Sequence, residues 1–415
     1  MNKYKSLLPV YLKGLAVGKY TLAQAASACG YSVPYMCVLK NKYMRLGLSV
    51  LDHKGRGRSP ANKTPEHVKN KIMALYCTPA YAGINFKYFC ECLNNYENIN
   101  IKYSTLRNIF KEYGVKSPEA HRIKKNKSAK RPRLRRANFG DMLQIDGTPF
   151  AWFSRFGNNK RYCMVGAIDD ATSKITALYI TENECLYGYM ELLRRTISRY
   201  GCPREIYSDR AAIFCVTPKN KKNLTQWEQL AGLHDKKTQW QRILDDLCIR
   251  QILAWSPEAK GRIERLWSTL QKRIPTELFR AGCDTVEKAN RFLLKYVDDF
   301  NSLFGVEPLR PDSFFIPCDK DLDTILTAQV PRRADSRGCI SFHSYKFAVL
   351  APRVCGRDLM LHISERGIFA RLDGVFYPVQ LLDDYIYSGL GETMPQVLID
   401  IIYRYMFANA KVISA

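Results

Sequence analysis

The chain has 415 residues, 46% of them hydrophobic, a length that suggests two to four domains. Its formal net charge of +25 is concentrated near the start: residues 1–140 hold 27 Lys and Arg against 6 Asp and Glu, whereas the remainder holds 37 against 33. This asymmetry disfavours a merely soluble basic protein and favours a nucleic-acid-binding arm on an enzymatic body.

Cysteine and histidine usage argues against zinc. The 14 cysteines lie scattered in apolar stretches without a CxxC pair, and none of the six histidines is paired at helical zinc-ligand spacing. We therefore expect mostly reduced core cysteines and no zinc finger. No signal peptide opens the chain and no apolar run reaches the length of a membrane span, so we expect a cytoplasmic protein without membrane contact.

The first predicted domain, residues 1–50, has the pattern of a helix-turn-helix. Thr21 is a candidate helix cap, Gly30 supplies the turn, and Ser32 can cap a second helix that continues through Leu46. This second helix would be the recognition helix in DNA. Its basic residues that could face phosphates are Lys40, Lys42 and Arg45. A small helical domain with another function is the alternative.

A second helix-turn-helix-like domain is expected over residues 64–120. Thr64-Pro65-Glu66 opens a helix, with Pro at its favoured first position. Two more helical patterns follow, at 83–94 and at 103–113. Two such units joined by a basic linker could follow one DNA site over more than a helical turn.

Two basic segments are predicted to be linkers, residues 51–63 and 121–139. In the first, Gly and Pro prevent regular structure, and Arg56 and Arg58 suit a minor groove or a phosphate track. In the second, residues 121–136 carry nine basic and no acidic residues. Such a run is usually solvated, but its place between an arm and a core favours contact with the DNA backbone. The contacts expected there are Lys124, Lys125, Arg131 and Arg133.

The pattern changes to alternating strands and helices in the predicted core, residues 140–310. Strands are predicted at 141–146, 161–168, 174–181, 204–208 and 250–255. Helices are predicted at 183–200, 224–247, 257–273 and 285–304. The first three strands have short connections and predict a meander, whereas the later ones follow helices as in parallel crossovers. The sequence thus predicts an α/β core with a mixed five-stranded sheet flanked by helices.

The last part of the chain is predicted to be a connector, residues 311–330, followed by a small β-barrel and a tail, residues 331–415. Short strands separated by turn residues indicate the barrel. They are predicted at 339–350, 357–363, 367–372 and 375–380.

Three acidic residues predict a metal site in the core. Asp146 and Asp209 end short apolar runs, where a strand ends and a side chain can face a cleft. Glu264 lies one to two turns into a helix that Ser256 can cap and Pro257 can begin. Two strand-end carboxylates facing a helix carboxylate can hold two hard divalent cations that cut and join phosphodiesters. The chain's basic charge then indicates DNA as the substrate.

Basic residues beside these acids are candidates for holding the DNA strand: Lys260, Arg262 and Arg210. Taken alone, Lys260 and Glu264 would be interpreted as a solvated ion pair on a helix. The two upstream aspartates are the reason to interpret Glu264 as part of a metal site. Trp267 is expected to pack rather than to act in chemistry.

Other acidic residues are expected to be structural. Asp169 and Asp170 stand before Ala171-Thr172-Ser173, where a turn begins, and we interpret both as hairpin acids.

Four short motifs resemble the core of DDE transposases, within the retroviral-integrase-like superfamily. They are Gln144-Ile145-Asp146-Gly147, Ile168-Asp169-Asp170-Ala171-Thr172-Ser173, Tyr207-Ser208-Asp209 and Ser256-Pro257-x-Ala259-Lys260-Gly261-Arg262-x-Glu264-Arg265. The resemblance is greatest to the ISNCY-type group of bacterial insertion sequences and covers about residues 140–310. It implies a ribonuclease-H-like fold, with Asp146, Asp209 and Glu264 as the catalytic, metal-binding triad.

The resemblance also implies an activity and partners. The enzyme would be a polynucleotidyl transferase that uses two Mg²⁺ (or Mn²⁺) ions to expose 3′-hydroxyl ends of an insertion sequence and join them to target DNA. Its partners would be double-stranded DNA and a second protomer, as a homodimer or higher oligomer, at the bacterial nucleoid. The 55 positions from Asp209 to Glu264 exceed the retroviral spacing and indicate an insertion near 215–240.

Two other functions remain open at this point. One is a ribonuclease-H-like nuclease, which the two DNA-reading units and the barrel disfavour. The other is an inactive, transposase-derived DNA-binding regulator, which the presence of all three acids disfavours.

Overall fold

The computed structural model describes seven stretches of the chain. They are residues 7–51, 63–118, 134–216, 237–254, 261–343, 345–382 and 401–402. The chain divides into two compact units, Met1–Ile72 and Met73–Ala415. No helix within the described stretches combines the length and apolar character that crossing a membrane requires.

The first unit contains helices α1 (Leu8–Ala16), α2 (Leu22–Cys29) and α3 (Val33–Leu46), followed by a 3₁₀ turn (Gly47–Leu51). Thr21 and Gln24 form a capping box at the start of α2, with backbone-to-side-chain hydrogen bonds of 3.0 and 3.3 Å. Gly30 ends α2 with a left-handed φ of 68°, and Ser32 caps α3 by accepting from the Tyr35 backbone N–H. The predicted helix limits are confirmed, whereas DNA binding by this unit stays a prediction.

Helices α4 (Glu66–Tyr76), α5 (Phe86–Asn95) and α6 (Tyr103–Glu112) confirm the three helical patterns of the second predicted domain. Asn85 caps α5 by accepting from the Tyr88 backbone N–H at 2.8 Å. An aromatic cluster packs these helices together, with ring centroids 4.7 Å apart for Tyr76 and Phe110 and 4.3 Å apart for Phe86 and Phe110. Burial of these rings fixes the three helices to one another.

The central sheet has five strands, β1 (Met142–Phe150), β2 (Tyr162–Asp169), β3 (Ile175–Thr181), β4 (Glu205–Ser208) and β5 (Arg250–Leu253). Their order is β3-β2-β1-β4-β5. The first three strands form an antiparallel meander, and β1, β4 and β5 are parallel. The predicted mixed five-stranded sheet is therefore confirmed, but the first strand was predicted to end at Asp146 and instead continues to Phe150, so that Asp146 lies within β1.

Four helices cover the two faces of this sheet: α7 (Leu186–Tyr200), α8 (Gln239–Asp246), α9 (Gly261–Arg280) and α10 (Val286–Phe304). Leu143 and Ile145 of β1 share an apolar core with α7 and α8. The opposite face packs against α9 and α10 in a second core that includes Met164 and Trp267. The helices predicted at 224–247 and 257–273 lie partly outside the described residues.

Helix α10 also binds the edge strand β3 through two asparagine side chains. Asn290 accepts from the Ile180 N–H at 2.8 Å and donates to the Ile180 carbonyl at 2.9 Å. Asn301 makes the same pair of hydrogen bonds with Ile175, each at 2.7 Å. The outward backbone groups of both isoleucines are thereby satisfied.

A seam of polar and aromatic contacts joins α5 to the second half of α9. Arg273 pairs with Glu91 at 2.6 Å, and its guanidinium lies 4.6 Å from the ring centroid of Tyr88. The Tyr88 hydroxyl donates to Glu277 at 2.5 Å. We call this set the α5–α9 seam, and several overlapping contacts hold it together.

The C-terminal part follows a short helix, α11 (Leu322–Ile325), and forms a six-stranded antiparallel sheet that is nearly closed. Its strands are β6 (Ala328–Arg333), β7 (Cys339–Phe342), β8 (Tyr345–Val349), β9 (Asp358–Ser364), β10 (Gly367–Leu372) and β11 (Val375–Leu381). Their order is β6-β9-β10-β11-β8-β7, and Arg332 of β6 donates to the Ser341 carbonyl of β7 at 3.2 Å. This bond links the two edge strands, as in the predicted barrel.

Two details of the C-terminal prediction were wrong. The single strand predicted at 339–350 is a hairpin of β7 and β8, with His343 in the turn at a φ of 50°. Strand β6 begins at Ala328, inside the predicted connector, 311–330. The sequence did not indicate this strand, because Pro331 and the two arginines after it interrupt the apolar pattern of a strand.

Candidate active site

Asp146 and Asp209 lie at the same level of two adjacent parallel strands. Gln144 of β1 pairs with Tyr207 of β4, and the same register two residues further along brings Asp146 beside Asp209. Neighbouring strands are about 4.8 Å apart, so the two side chains can act on one ligand. Both aspartates are half-buried. The Asp209 carboxylate is fixed as it leaves the strand by accepting from the Ala211 N–H at 2.9 Å.

Both carboxylates face the α9 side of the sheet. Side chains alternate along a strand, and Leu143 and Ile145 point into the core under α7. Asp146 therefore points to the opposite face. Tyr207 packs with Met142 on that face, and Asp209 is in phase with Tyr207.

Helix α9 runs along β1 with a matching repeat. Three hydrogen bonds link them: Ile263 N to Gln144 Oε1 (3.4 Å), Trp267 Nε1 to Asp146 Oδ2 (3.1 Å) and Gln271 Nε2 to Thr148 Oγ1 (3.1 Å). Four helical residues advance about 6 Å and two strand residues about 6.6 Å, so the helix and the strand stay in step. Trp267 packs as expected, but it also holds the Asp146 carboxylate, which the sequence did not indicate.

Glu264 lies on the first described turn of α9, three residues before Trp267, and is exposed. Within the described residues, no group of three His, Cys, Asp or Glu side chains is close enough to hold a metal ion. The structure thus brings the two aspartates together and Glu264 to the adjoining helix, without a closed ligand set. Ser256, Pro257 and Lys260 lie outside the described residues. The metal-binding triad stays a prediction.

A buried acid anchors the start of α9 to the sheet. Asp170 is fully buried and accepts from Arg262 Nε at 2.7 Å, Gln144 Nε2 at 2.9 Å and the Arg136 N–H at 2.9 Å. The Arg262 side chain is only 11% exposed, because it is held in the ion pair with Asp170. Little of its surface therefore remains for the DNA contact that the sequence predicted. The hairpin interpretation of Asp170 omitted these three partners, of which Arg262 is 92 positions away.

Asp169 fits its predicted turn role. It is buried and accepts from the Thr172 N–H and hydroxyl, both at 2.7 Å, and from the Gly140 N–H at 2.9 Å. Burial raises the pKa of the Asp169 carboxyl, and these hydrogen bonds oppose that rise.

A further acid, Glu184, lies on the other face of β1 beside Gly147. A Cβ atom on Gly147 would lie 2.9 Å from Glu184 Oε1, so a side chain at position 147 would clash with this carboxylate and glycine avoids the clash. The Tyr189 hydroxyl donates to the same oxygen at 2.6 Å. Burial, and then the charge of Glu184, raises the pKa of Tyr189, which keeps this donor protonated. No local sequence signal marks Glu184.

The predicted DNA contacts fall into two groups. Arg210, Lys42 and Arg45 are exposed, and Lys40 is half-buried on α3. Apart from Arg262, the others lie outside the described residues: Arg56, Arg58, Lys124, Lys125, Arg131, Arg133 and Lys260. Their contacts with DNA stay predictions.

The end of the basic run packs on the core. Arg135 Nη1 donates to the Ala171 carbonyl at 3.0 Å, and Arg136 Nη2 pairs with the buried Glu205 at 2.5 Å. These two arginines therefore serve the core surface, unlike the free linker predicted for residues 121–139.

Two curated proteins are similar to the chain. The transposase for insertion sequence IS1202 of Streptococcus pneumoniae is 27% identical over 95% of this chain and 90% of its own length. The protein y4bF of Sinorhizobium fredii (strain NBRC 101917 / NGR234), a candidate transposase, is 29% identical over 72% of this chain and 62% of its own length. No model of a known protein family matches the chain. The resemblance to insertion-sequence transposases is confirmed by these relatives.

Solved structures give weaker matches. The simian T-cell lymphotropic virus intasome bound to PP2A regulatory subunit B56 gamma matches 74% of this chain and 96% of its own, at 15% identity and a TM-score of 0.31. The HTLV-2 integrase catalytic core with magnesium, in its dimeric form, matches 40% of this chain and 91% of its own, at 16% identity and a TM-score of 0.28. Scores this low support no argument about the chain.

Proposed function

We propose that the chain is a DDE-type transposase, a polynucleotidyl transferase with a ribonuclease-H-like core. It binds the terminal inverted repeats of an insertion sequence, cleaves to expose 3′-hydroxyl ends and joins them to target DNA. The observation that carries the proposal is the parallel register of β1 and β4, in which Asp146 and Asp209 share one level beneath α9. Similarity to a transposase over 95% of the chain supports it.

In this proposal Asp146, Asp209 and Glu264 hold two Mg²⁺ or Mn²⁺ ions, since carboxylate oxygens suit hard cations. When bound, the ions would activate the attacking hydroxyl and neutralise charge at the phosphate. Trp267 and the Ala211 N–H orient the two aspartates, and Glu264 approaches from the exposed side of α9.

The basic arm then supplies DNA binding. The helix-turn-helix units, residues 1–50 and 64–120, read sequence in the major groove, and the run 121–136 adds salt-dependent affinity for phosphates. Two element ends must meet one target, so the active species is a homodimer or a higher oligomer on DNA.

The decisive experiment is joining of a labelled element-end duplex to a supercoiled plasmid. Asp146→Asn, Asp209→Asn and Glu264→Gln should each abolish cleavage and joining yet leave end binding largely intact, because metal ligation needs the charged oxygens. Glu287→Gln, an exposed acid on α10, is the matched control. Wild-type joining by any of the three variants removes that residue from the site.

Metal dependence gives a second test. Mg²⁺ or Mn²⁺ should support joining, whereas Ca²⁺ should support DNA binding with little chemistry, because its larger and looser shell aligns the reacting oxygens poorly. Full activity in excess EDTA would refute the metal mechanism.

A second candidate is an inactive transposase-derived DNA-binding regulator, which is compatible with the lack of a group of three close metal-ligand side chains among the described residues. It predicts end binding without cleavage or joining by the wild-type chain. A ribonuclease-H-like nuclease would instead cleave without joining. The same plasmid assay therefore separates the three functions.

A further inference from the structure

A groove of about 620 Å³ opens between the loop before α5 and the middle of α9. It lies wholly within the unit Met73–Ala415. The residues that matter for its chemistry are Asn85, Phe150, Arg155, Gln271, Lys272 and Thr276.

The groove continues the face of α9 that carries Glu264. Gln271 and Pro275, which line it, follow Glu264 by seven and eleven positions. At about 100° per residue, both project within roughly 20° of the direction of Glu264. They stand about 10 and 16 Å further along the helix axis. At the 3.4 Å per nucleotide of a stacked strand, DNA with a phosphate at Glu264 would reach the groove after about three to five nucleotides, and an unstacked strand would need fewer.

The lining suits an anion with an aromatic face. Arg155 and Lys272 contribute positive charge, and none of the described residues that line the groove is acidic. Phe150 offers a half-buried ring, and Asn85 and Gln271 offer amides. A cavity of about 260 Å³ beside the α5–α9 seam differs, because its three acids, Glu91, Glu277 and Asp299, offset its three basic residues and leave no surplus positive charge.

Thr276 adds an independent sign of a ligand. Its residue is 1% exposed, and its hydroxyl has no hydrogen-bond partner within the part of the chain that the structure describes. Buried polar groups are nearly always satisfied, because an unsatisfied one costs free energy. The hydroxyl is closed to water-sized molecules in the structure, so it would have to rotate or shift toward the groove for a donor or acceptor there to satisfy it.

We propose that this groove binds an unpaired nucleotide of the DNA strand that runs from the catalytic carboxylates. Its phosphate lies toward Lys272, its base stacks on Phe150, and the base edge meets Thr276 and Asn85. An unpaired nucleotide fits better than a duplex, because a ring such as Phe150 can reach a base face only when the base has left its stack. The inference rests on the proposed function and adds a single-strand subsite to it.

The test compares two probes in Ca²⁺, where binding proceeds without joining. One is a fluorescein-labelled 30-base-pair duplex with a 3′ overhang of five thymidines, and the other is the same duplex with blunt ends. We expect the wild-type chain to bind the overhang probe about tenfold more tightly, the size of one stacking contact. Thr276→Val and Lys272→Gln should each reduce this preference about threefold or more, and Phe150→Leu should remove most of it.

Matched controls keep the result specific. Thr269→Val removes a hydroxyl from the same helix outside the groove, and Lys295→Gln removes a charge beside the other cavity. Both should keep the wild-type preference. In a second measurement, 2-aminopurine replaces one overhang thymidine at a time. Its fluorescence should be quenched at one overhang position by stacking on Phe150, and Phe150→Leu should abolish this quenching. Retention of tenfold preference by all three groove variants, or equal weakening of both probes, would overturn the proposal.

Its failure is distinguishable from failure of the proposed function. The overhang preference is a ratio of two affinities measured in Ca²⁺, so it does not depend on joining. If triad variants lose joining while groove variants keep their preference, only the groove proposal falls. If groove variants lose the preference while triad variants still join DNA, only the assigned triad falls.

Discussion

The two ends of helix α9 are held in different ways. Near Gly261–Trp267, three polar bonds spaced along the helix fix it to the sheet: Arg262 to Asp170, Ile263 to Gln144 and Trp267 to Asp146. Near Arg273–Arg280, the overlapping ion pair, hydroxyl and ring contacts of the α5–α9 seam share the task. The position of the site end of α9 therefore depends on individual polar contacts. At the far end, several neighbouring contacts hold the helix, and the loss of one leaves the others in place.

This contrast says where substitutions should matter. Loss of one partner at the site end leaves a buried group unsatisfied next to the candidate carboxylates, and the cost falls on both stability and alignment. Loss of one contact in the seam leaves its neighbours in place. Four substitutions test the contrast.

Asp170→Ala should have the largest effect. It leaves the Arg262 guanidinium buried without its partner, and loss of one member of a buried pair costs about 3–5 kcal/mol. The free energy of unfolding in urea, followed by tryptophan fluorescence, measures this. Asp284→Ala, an exposed acid paired with Lys288, is the control and should change stability by less than about 1 kcal/mol. Equal effects would contradict the anchoring role.

Gly166→Ala should come next. Gly166 pairs with Asp146 across the strands, and a Cβ there would lie 2.7 Å from Cη2 of Trp267 and 2.9 Å from Cδ2 of Leu178. Such overpacking costs about 1–3 kcal/mol and should displace the indole. Gly261→Ala is the control, since its Cβ would meet no atom of the described residues within 4 Å. If Gly166→Ala left the free energy of unfolding unchanged, the Trp267 indole would have to move aside at no cost, and the expected clash would be refuted.

Trp267→Phe keeps most of the ring and removes the N–H that Asp146 accepts. If the proposed function holds, affinity for Mg²⁺ in joining assays should fall about 10- to 100-fold, as for other groups that orient metal ligands. Trp152→Phe removes a similar N–H bond, to the Tyr162 carbonyl, away from the site, and should leave Mg²⁺ dependence unchanged. A similar shift in both variants would mean that Trp267 acts only through packing.

Tyr88→Phe in the seam should have the smallest effect. It removes one hydroxyl bond to a carboxylate, worth about 1.5–3 kcal/mol when such a bond stands alone, but Arg280 still pairs with Glu277 and Arg273 with Glu91, which offsets part of the loss. Joining activity should match the wild type within about twofold, because the neighbouring contacts hold α9. A tenfold loss of joining would show that the two ends of α9 are coupled.

Local signals predicted much of the fold. Thr21, Gly30 and Ser32 fixed the limits of α2 and α3, because caps and left-handed turns depend on neighbouring residues only. Short apolar runs divided by turns gave all five strands of the mixed sheet and the position of Asp209 just after β4, whereas Asp146 lies in the middle of β1 and not at its end. The features that the sequence predicted are those that depend on contacts between residues a few positions apart in the chain.

Long-range partners could not be predicted in this way. Asp170 precedes a turn, and that local signal concealed an ion pair with a residue 92 positions later. Tyr88 and Glu277 meet across 189 positions, a contact that neither helix pattern marks. Strand β6 was missed because Pro331 and its arginines suit an edge, where pairing on one side suffices. Tertiary packing decides these features.

The asparagine contacts of α10 have a consequence for assembly. Strand β3 is an edge of the mixed sheet, and an uncovered edge is a template on which other chains can add a strand or aggregate. Asn290 and Asn301 occupy the outward hydrogen-bonding groups of Ile180 and Ile175, near both ends of the strand. The sheet cannot grow on that side without losing four hydrogen bonds, so a second copy of the chain could not extend this sheet through β3 without first displacing α10.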